Sequence, residues 1–154
     1  MTDHLWTALL IVAAVGAGLN GGLFFIFSNT IMRSFDRLPG ASAVAAMNSI
    51  NAVILNPLFF LAFFGTALLC LVLLVGQLDS PLVVAGALFY LVGTIGVTMV
   101  CNVPLNDKLA KVAPSATDAD AQWPAYRRAW TRWNHVRTVA CLLAAAAFTL
   151  DGSR

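Results

Sequence analysis

Glutamate is missing from this sequence of 154 residues, and its seven carboxylates all belong to aspartates. Only 10% of the residues are charged and 60% are hydrophobic, with a mean hydropathy of +0.83. Soluble domains carry about 25% charged residues, so this chain has too few charges to cover a small globule. The composition also excludes a disordered chain, because disorder needs low hydrophobicity. It therefore predicts a polytopic membrane protein.

The cysteines and glycines carry no signature of a metal or nucleotide site. Cys70, Cys101 and Cys141 lie far apart, in or beside apolar runs, so they form neither a zinc-ligand spacing nor a disulfide framework. We interpret them as small buried hydrophobic residues. The chain also has no dinucleotide-binding glycine pattern and no basic stripe with interleaved aromatic residues. We therefore predict no nucleic-acid partner and no cofactor, with haem as the group left open.

Long apolar runs are what the sequence has in abundance. A helix needs about 20 mostly apolar residues to cross a bilayer, and the run from Ala8 to Phe27 meets this length without a charge. We interpret that run as a retained span, because no basic segment precedes it. The chain, residues 1–154, is predicted to be a single all-α membrane domain, a four-helix transmembrane bundle. With their cytoplasmic extensions, its helices are predicted at about residues 6–30, 44–76, 81–103 and 123–150.

The fourth of these helices is short of apolar residues. Uncharged sequence covers only Thr138 to Leu150, which is too short to span a bilayer core of about 30 Å. The helix must therefore include the preceding residues, which brings His135 and Arg137 to or below the membrane interface. Ionisable groups at that depth are costly and mark candidate functional sites.

The basic residues predict the orientation of the bundle. Arg154 falls on the side of the two termini, whereas the two longer loops hold many more cations. Because cytoplasmic loops are rich in Lys and Arg, we predict that both termini lie on the outer face. The longer loops are then cytoplasmic, in a bacterial inner membrane. Their basic residues are Arg33, Arg37, Lys108, Lys111, Arg127, Arg128 and Arg132.

Amide and aromatic side chains recur near the predicted cytoplasmic ends of the helices. Trp130, Asn134 and Arg137 follow one another at helical spacing, and an up-and-down bundle brings such ends together. We therefore predict a ligand site there. Each amide has a structural alternative as a contact between helices, and the aromatic residues have the alternative of an interfacial belt. The residues predicted to bind the ligand are Asn20 (the deepest of them), Phe24, Ser28, Asn48, Asn51, Asn102, Asn106, Tyr126, Trp130 and Trp133.

Candidates for acid–base chemistry at this end are few. Histidine changes charge near neutral pH, so elimination favours His135 as a general base. Asp107, beside Asn106, is the second candidate. Both have structural alternatives, His135 as an interfacial residue and Asp107 as a solvated helix cap. Arg137 either extends its charge to the interface or is buried against amide and carbonyl groups.

Four segments of the chain resemble those of one family of membrane proteins. They are GLFFIFSNTIM at residues 22–32, AMNSIN at 46–51, NVPLN at 102–106 and the run WxxWNHVR from Trp130 to Arg137. In this order, and over nearly the whole chain, they resemble the anthrone oxygenase-like family of small membrane proteins. NVPLN and WNHVR are the specific motifs among them.

The resemblance implies a four-helix membrane bundle that oxygenates a polycyclic phenolic anthrone to an anthraquinone with O2. It implies that His135 or Asp107 removes a proton, which gives an enolate in an apolar pocket. It further implies an oxyanion stabilised by Arg137, Asn134, Asn102 and Asn106, between stacking walls formed by Trp130, Trp133 and Phe24.

Other classes of membrane protein stay open at this point. One is a non-catalytic protein whose polar cluster binds a lipid, a quinone or a haem, with His135 and either Met47 or Met99 as axial ligands. A small transporter subunit is disfavoured, because the predicted spans contain no acid pairs. The predicted partners are the lipid bilayer and a small apolar aromatic ligand. Gly18 and Gly22 form a small-xxx-small pair that permits a homo-oligomer.

Overall fold

A computed structural model describes residues 2–112 and 119–153, and every regular element in those two ranges is helical. The all-α prediction is confirmed for these residues. In chain order the elements are α1 (Thr2–Ile26), the π-helical segment π1 (Phe27–Ile31), α2 (Met32–Phe35), α3 (Gly40–Val53), α4 (Pro57–Gly76), α5 (Pro81–Leu88), the π-helical segments π2 (Phe89–Gly96) and π3 (Thr98–Asn102), α6 (Val103–Leu109) and α7 (Ala119–Gly152).

Three helices are long and apolar enough to cross a membrane: the continuous helix His4–Phe35, α4, and the continuous helix Pro81–Leu109. The prediction of apolar membrane helices is confirmed to this extent. The long helix α7 is more polar and is not among the three. A fourth span and an outer location of the termini therefore stay predictions. The first helix and α7 both reach beyond the predicted limits of about 6–30 and 123–150.

The second predicted helix is two helices. The prediction of one helix over residues 44–76 is wrong, because α3 ends at Val53 and α4 begins at Pro57. Asn56 between them is extended (φ −121°, ψ 161°), and its side chain accepts a hydrogen bond from the backbone N–H of Phe59 at 3.0 Å. Proline disfavours the helical conformation in the residue before it and suits the first position of a helix. The Asn56–Pro57 pair therefore breaks the helix and starts a new one.

The predicted end of the third helix, near residue 103, is wrong. The observed helix continues through Pro104 to Leu109. A proline inside an α-helix removes the hydrogen bond to residue i−4 and crowds its carbonyl. Pro104 lies in the first turn of α6, directly after π3, where the bonding pattern is already shifted to i→i+5. The π-helical segment therefore accommodates the proline, and the NVPLN motif is helical.

Two apolar clusters hold the helices together. One lies between α1, α4, α5, π2 and α7 and contains the fully buried Tyr90 and Phe148. The Tyr90 hydroxyl donates to the Phe63 carbonyl at 3.0 Å, which satisfies the polar end of a buried ring. The second cluster packs π1, α2, α3 and α6 against the first half of α7, around Met32 and Met47. It gathers the segments that were predicted to be cytoplasmic, and it borders the cavity described below.

Glycine positions show which helix faces come close. A Cβ atom added at Gly86 would lie 2.7 Å from the Phe148 ring, so glycine allows α5 and α7 to approach. Apart from the nearby backbone of its own helix, a Cβ atom added at Gly18 or Gly22 would have no atom of the described residues within 4 Å. This pair therefore faces away from the rest of the chain, and a homo-oligomer formed through it stays a prediction.

Replacing Gly86 with valine is expected to destabilise the bundle. Its side chain would overlap the buried ring of Phe148, and overpacking of this kind costs about 1–3 kcal/mol. Gly18→Val is the matched control, because it makes the same exchange on a helix face with open space. Denaturant unfolding in detergent micelles, followed by circular dichroism, should give a lower free energy of unfolding for Gly86→Val. Equal stabilities of the two variants would contradict the packing described here.

Candidate functional site

A cavity of about 390 Å³ lies where α3, α4, α6 and α7 meet the end of α1 and π3. Its volume is within the range of about 300–1,000 Å³ that is common for ligand sites. Most of its wall is apolar, and includes Leu23, Phe27, Met47 and Phe59. The polar side chains that line it are Asn48, Asn51, Thr98, Asn106, Asp107, Trp130 and Arg137.

The break between α3 and α4 helps to form this cavity. Ile54 and Leu55, in the turn before Asn56, are part of its wall. The other end of α3 is fixed by a contact with α7, in which the Gly40 backbone N–H donates to Asp120 Oδ1 at 2.7 Å. A carboxylate at a helix N-terminus satisfies a free N–H group and suits the helix dipole. The polar residues of α3 are therefore held against α7.

Arg137 is the buried cation of the site. Its side chain is 6% exposed, and its guanidinium lies over two rings, 4.2 Å from the centroid of Phe24 and 5.3 Å from that of Trp130. Nη1 donates to Thr98 Oγ1 at 3.2 Å, and Nη2 donates to Asn134 Oδ1 at 2.5 Å. Both partners are neutral. Cation–π contacts and neutral acceptors therefore take the place of a counter-ion.

No carboxylate pairs with Arg137 within the described ranges. The ion pair found there joins Arg127 to Asp36 at 2.6 Å and is partly exposed. A buried charge is normally paired, because leaving it without a counter-charge costs several kcal/mol. Arg137 therefore presents an unbalanced positive charge to an apolar cavity. Such an arrangement favours an anionic ligand.

Asn134 orients the guanidinium of Arg137. It is completely buried, and its Nδ2 donates to the Phe24 carbonyl at 2.6 Å and to Ser28 Oγ at 2.5 Å. These two donated bonds leave Oδ1 directed to Arg137. Ser28 lies in π1 and Thr98 in π3, so two π-helical segments supply polar partners to this pair. Such segments are frequent at functional sites.

Some residues that line the cavity also have buried polar atoms without a partner among the described residues. Arg137 Nε and Trp130 Nε1 are donors of this kind, and Asn48 Oδ1 is an acceptor. An unsatisfied buried polar group costs about 1–3 kcal/mol. Three such atoms on residues around one cavity indicate that this part of the bundle is not optimised for stability alone.

Other predicted residues of the cluster tie the helices to one another. The Tyr126 hydroxyl donates to Asn106 Oδ1 at 2.9 Å. Asn102 Nδ2 donates to the Trp130 carbonyl at 3.3 Å, which links π3 to α7. Asn48 Nδ2 donates to the Leu109 carbonyl at 3.4 Å. Asn48 and Asn106 also line the cavity, whereas Tyr126 and Asn102 support it from behind.

Seven predicted residues do not line the cavity; Ser28, Asn102, Tyr126 and Asn134 form the contacts described above, and the other three do not. Asn20 is buried, and its Nδ2 donates to the carbonyls of Gly16 and Ala62 at 2.8 and 3.1 Å, so it joins α1 to α4. His135 and Trp133 are exposed on α7 and are not among the lining residues. Asp107, the second candidate base, is exposed and does line the cavity.

Thr98 is the residue that sequence reasoning missed. Its hydroxyl donates to the Thr94 carbonyl at 2.7 Å, which leaves an oxygen lone pair for Arg137. The signal was present in the third apolar run, where Thr94, Thr98 and Asn102 follow at intervals of four residues. All three therefore lie on one helical face, the face that meets α7.

The comparison with known proteins bears on this site directly. A family model described as anthrone oxygenase matches residues 54–147, which is more than half of the chain. The chain belongs to the anthrone oxygenase family. The resemblance seen in the sequence is thus confirmed. No curated protein and no solved structure matches the chain.

The match covers one side of the cavity of this anthrone oxygenase family member. It includes the NVPLN and WNHVR motifs, and with them Asp107, Trp130 and Arg137. Phe24 and the α3 amides lie before the matched residues.

No group of three or more His, Cys or Asp side chains suited to a metal ion occurs in the described ranges. The absence of a cofactor stays a prediction and haem its open alternative; of the residues named for haem, His135 is exposed and Met47 lies in the cavity wall.

Replacing Arg137 with methionine is expected to leave the free energy of unfolding within about 1 kcal/mol of wild type. The variant loses two hydrogen bonds and two cation–π contacts, but it also removes a buried charge that has no counter-ion among the described residues, and these effects offset each other. Denaturant unfolding in detergent should be compared with that of Arg132→Met, the same exchange at an exposed position of α7. A loss of about 3 kcal/mol or more would instead indicate an arginine kept for structure.

Proposed function

We propose that this protein is a membrane oxygenase that converts an anthrone to an anthraquinone with O2 in the cavity described above. The observation that carries the proposal is the buried guanidinium of Arg137, which lines an apolar cavity and has no carboxylate partner among the described residues. Membership of the anthrone oxygenase family supports the choice of an anthrone as the substrate. We also propose that α7 forms a fourth span, that both termini lie on the outer face of a bacterial inner membrane, and that the longer loops are cytoplasmic.

The proposed reaction balances with O2 as the oxidant. A base removes a proton from the methylene carbon of the anthrone, which leaves an enolate. The electron-rich enolate reduces O2 and forms a carbon–oxygen bond, giving a hydroperoxide once the peroxide oxygen is protonated. Loss of water from the hydroperoxide leaves a carbonyl group. The methylene carbon is thereby oxidised to the quinone carbonyl, and one O2 becomes the new carbonyl oxygen and one water.

Arg137 is suited to the anionic steps of this reaction. In the enolate, negative charge develops on the anthrone carbonyl oxygen. Fixed donors directed at developing charge in a water-poor site stabilise a transition state strongly. The guanidinium is held in place by Asn134, Thr98 and the two rings, so it needs no rearrangement as the charge forms.

We assign the base to Asp107. Its carboxylate lines the cavity, whereas His135 lies outside it. Among the described residues, no ion pair joins Asp107 to Arg137. This separation fits the substrate, because the carbon that loses a proton and the oxygen that gains the charge lie on opposite sides of the central ring. The exposed position of Asp107 also allows the proton to pass on to water.

Loss of the cation should slow oxygenation. With a hydroxyanthrone as substrate, the wild-type protein in detergent is expected to consume one O2 per anthrone, faster than protein-free micelles do. Arg137→Met should lower kcat/KM by about 10²–10³-fold, the loss typical of a deleted oxyanion donor. Arg132→Met is the control. Anthrone binding without O2 consumption above the micelle background would sink the oxygenase proposal and favour a non-catalytic binding protein.

Removal of the proposed base should also slow the oxygenation. Asp107→Asn keeps the shape of the side chain but cannot take a proton, so kcat should fall by about 10²–10⁴-fold. Asp79→Asn, at an exposed site remote from the cavity, controls for loss of one carboxylate. His135→Gln should stay within about threefold of wild type. The assignment is wrong if His135→Gln is the inactive variant and Asp107→Asn is not.

A further inference from the structure

The cavity lies at the level where two of the apolar helices leave the hydrocarbon core. A short turn joins α4 to the continuous helix Pro81–Leu109, so these two helices run antiparallel from one face of the core. At about 1.5 Å per residue, the 20 residues of α4 match a core of about 30 Å. Pro57 is therefore about level with Val100, at the opposite face of the core. The lining residues Phe59 and Thr98 lie at this level.

One side of the cavity lacks close helix packing. Helix α4 packs against α1, α5 and π2, but in the described ranges it makes no comparable contact with π3 or α6. Helix α6 instead packs against α3 and α7. Leu55 and Asp107 both line the cavity and are exposed, one on either side of this gap. The cavity therefore opens laterally, between the α3–α4 turn and α6.

Hydrogen bonds close the cavity on the side away from the hydrocarbon core. Asn48 Nδ2 of α3 donates to the Leu109 carbonyl at the end of α6, at 3.4 Å. The Tyr126 hydroxyl of α7 donates to Asn106 Oδ1 at 2.9 Å. Both bonds lie on the part of the third apolar helix that extends beyond Val100, and they tie this part to α3 and α7. The side beside α4 is thus the open one.

Exposed apolar side chains flank the lining residues on both sides of the opening. Leu55 and Leu58 are 62% and 76% exposed around the start of α4. Met99 and Val100, which follow the lining residue Thr98, are 54% and 75% exposed. An exposed apolar surface marks a contact with lipid or protein. Because these residues belong to helices long enough to cross a membrane, lipid is the medium around the opening.

The break at Asn56–Pro57 fits an opening at this depth. Irregular backbone in a membrane protein is tolerated where it lines a cavity, because its polar groups then do not face lipid. Ile54 and Leu55 line the cavity, and the Asn56 side chain accepts from the free N–H of Phe59. The turn is therefore suited to form a rim of the opening.

We propose that ligands reach the cavity from the bilayer through this lateral opening, and that the Leu55 side chain limits its width. The proposal rests on the proposed function only for the role of the cavity. A molecule dissolved in lipid meets the opening without crossing water. A charged molecule would have to leave water beside exposed apolar side chains, which is costly. The opening thus selects neutral, lipid-soluble molecules, and Leu55 selects among them by size.

Thiol labelling in phosphatidylcholine nanodiscs tests this entry path without any substrate. Thr98→Cys places a thiol of similar size inside the cavity, because Thr98 Oγ1 lies 3.2 Å from Arg137 Nη1. Benzyl methanethiosulfonate is neutral and lipid-soluble, whereas sulfonatoethyl methanethiosulfonate is an anion that stays in water. The charge of Arg137 attracts the anion, so slow labelling by it would report a closed path from water. The wild-type chain gives the background of its native cysteines.

The benzyl reagent should label Thr98→Cys at least about tenfold faster than the anion, after each rate is divided by its rate for Asp79→Cys in an exposed turn. Leu55→Trp should slow the benzyl reaction about tenfold, a rise of about 1.4 kcal/mol in the barrier to entry. Leu58→Trp is the matched control, because Leu58 is exposed but does not line the cavity.

Three results would overturn the proposal: equal labelling by the two reagents, labelling by neither, or a benzyl rate that Leu55→Trp leaves unchanged. Val103→Cys, at another lining residue, repeats the measurement if Thr98→Cys does not fold.

Anthrone turnover in the same nanodiscs separates this proposal from the oxygenase. Leu55→Trp should lower kcat/KM for O2 consumption about tenfold, and Leu58→Trp should leave it within about twofold of wild type. The expected labelling pattern without turnover would keep the opening and remove the oxygenase. Turnover together with labelling that Leu55→Trp does not slow would keep the oxygenase and remove the opening.

Discussion

The site depends on one physical constraint, the burial of the Arg137 charge with no carboxylate partner in the part of the chain that the structure describes. Its guanidinium is held by cation–π contacts with Phe24 and Trp130 and by hydrogen bonds to Asn134 and Thr98. All these contacts are neutral, so they fix the position of the charge and leave it unneutralised. A buried ion arranged in this way lowers the stability of the fold, and natural proteins retain such destabilising features at functional sites. The cavity beside it is where that charge can act.

Irregular segments of the surrounding helices help to form the site around Arg137. The π-helical segments π1 and π3 contribute Ser28 and Thr98, which orient Asn134 and Arg137 in turn. The break at Asn56–Pro57 separates α3 from α4 and places the intervening turn in the cavity wall. Departures from regular α-helix therefore contribute to the site, and the π-helical segment π2 also contributes Tyr90 to the core beside Phe148.

The interpretation of the WNHVR motif shows how far sequence reasoning reaches. Successive residues of an α-helix are rotated by about 100°, so Trp130, Asn134 and Arg137 share one face and His135 does not. The helical stripe was recognised from spacing alone, and all three residues are buried at the site. His135 was favoured by elimination on chemical grounds, and that argument ignored the direction of its side chain. Trp133 is exposed although it precedes Arg137 by four residues, so the helical period alone did not exclude it.

The sequence by itself determined the class of the protein. It has too few charges to cover a soluble surface, and its long apolar runs are stable as membrane helices. It also identified the family and most of the polar cluster, since motifs and helical spacing are local properties. Tertiary structure decided which polar groups were already satisfied. Asn20 is occupied by backbone carbonyls of Gly16 and Ala62, whereas Arg137 lies beside a cavity with no counter-ion within the described ranges. Whether a buried charge is balanced depends on partners far away in the chain, and a local sequence pattern does not identify those partners.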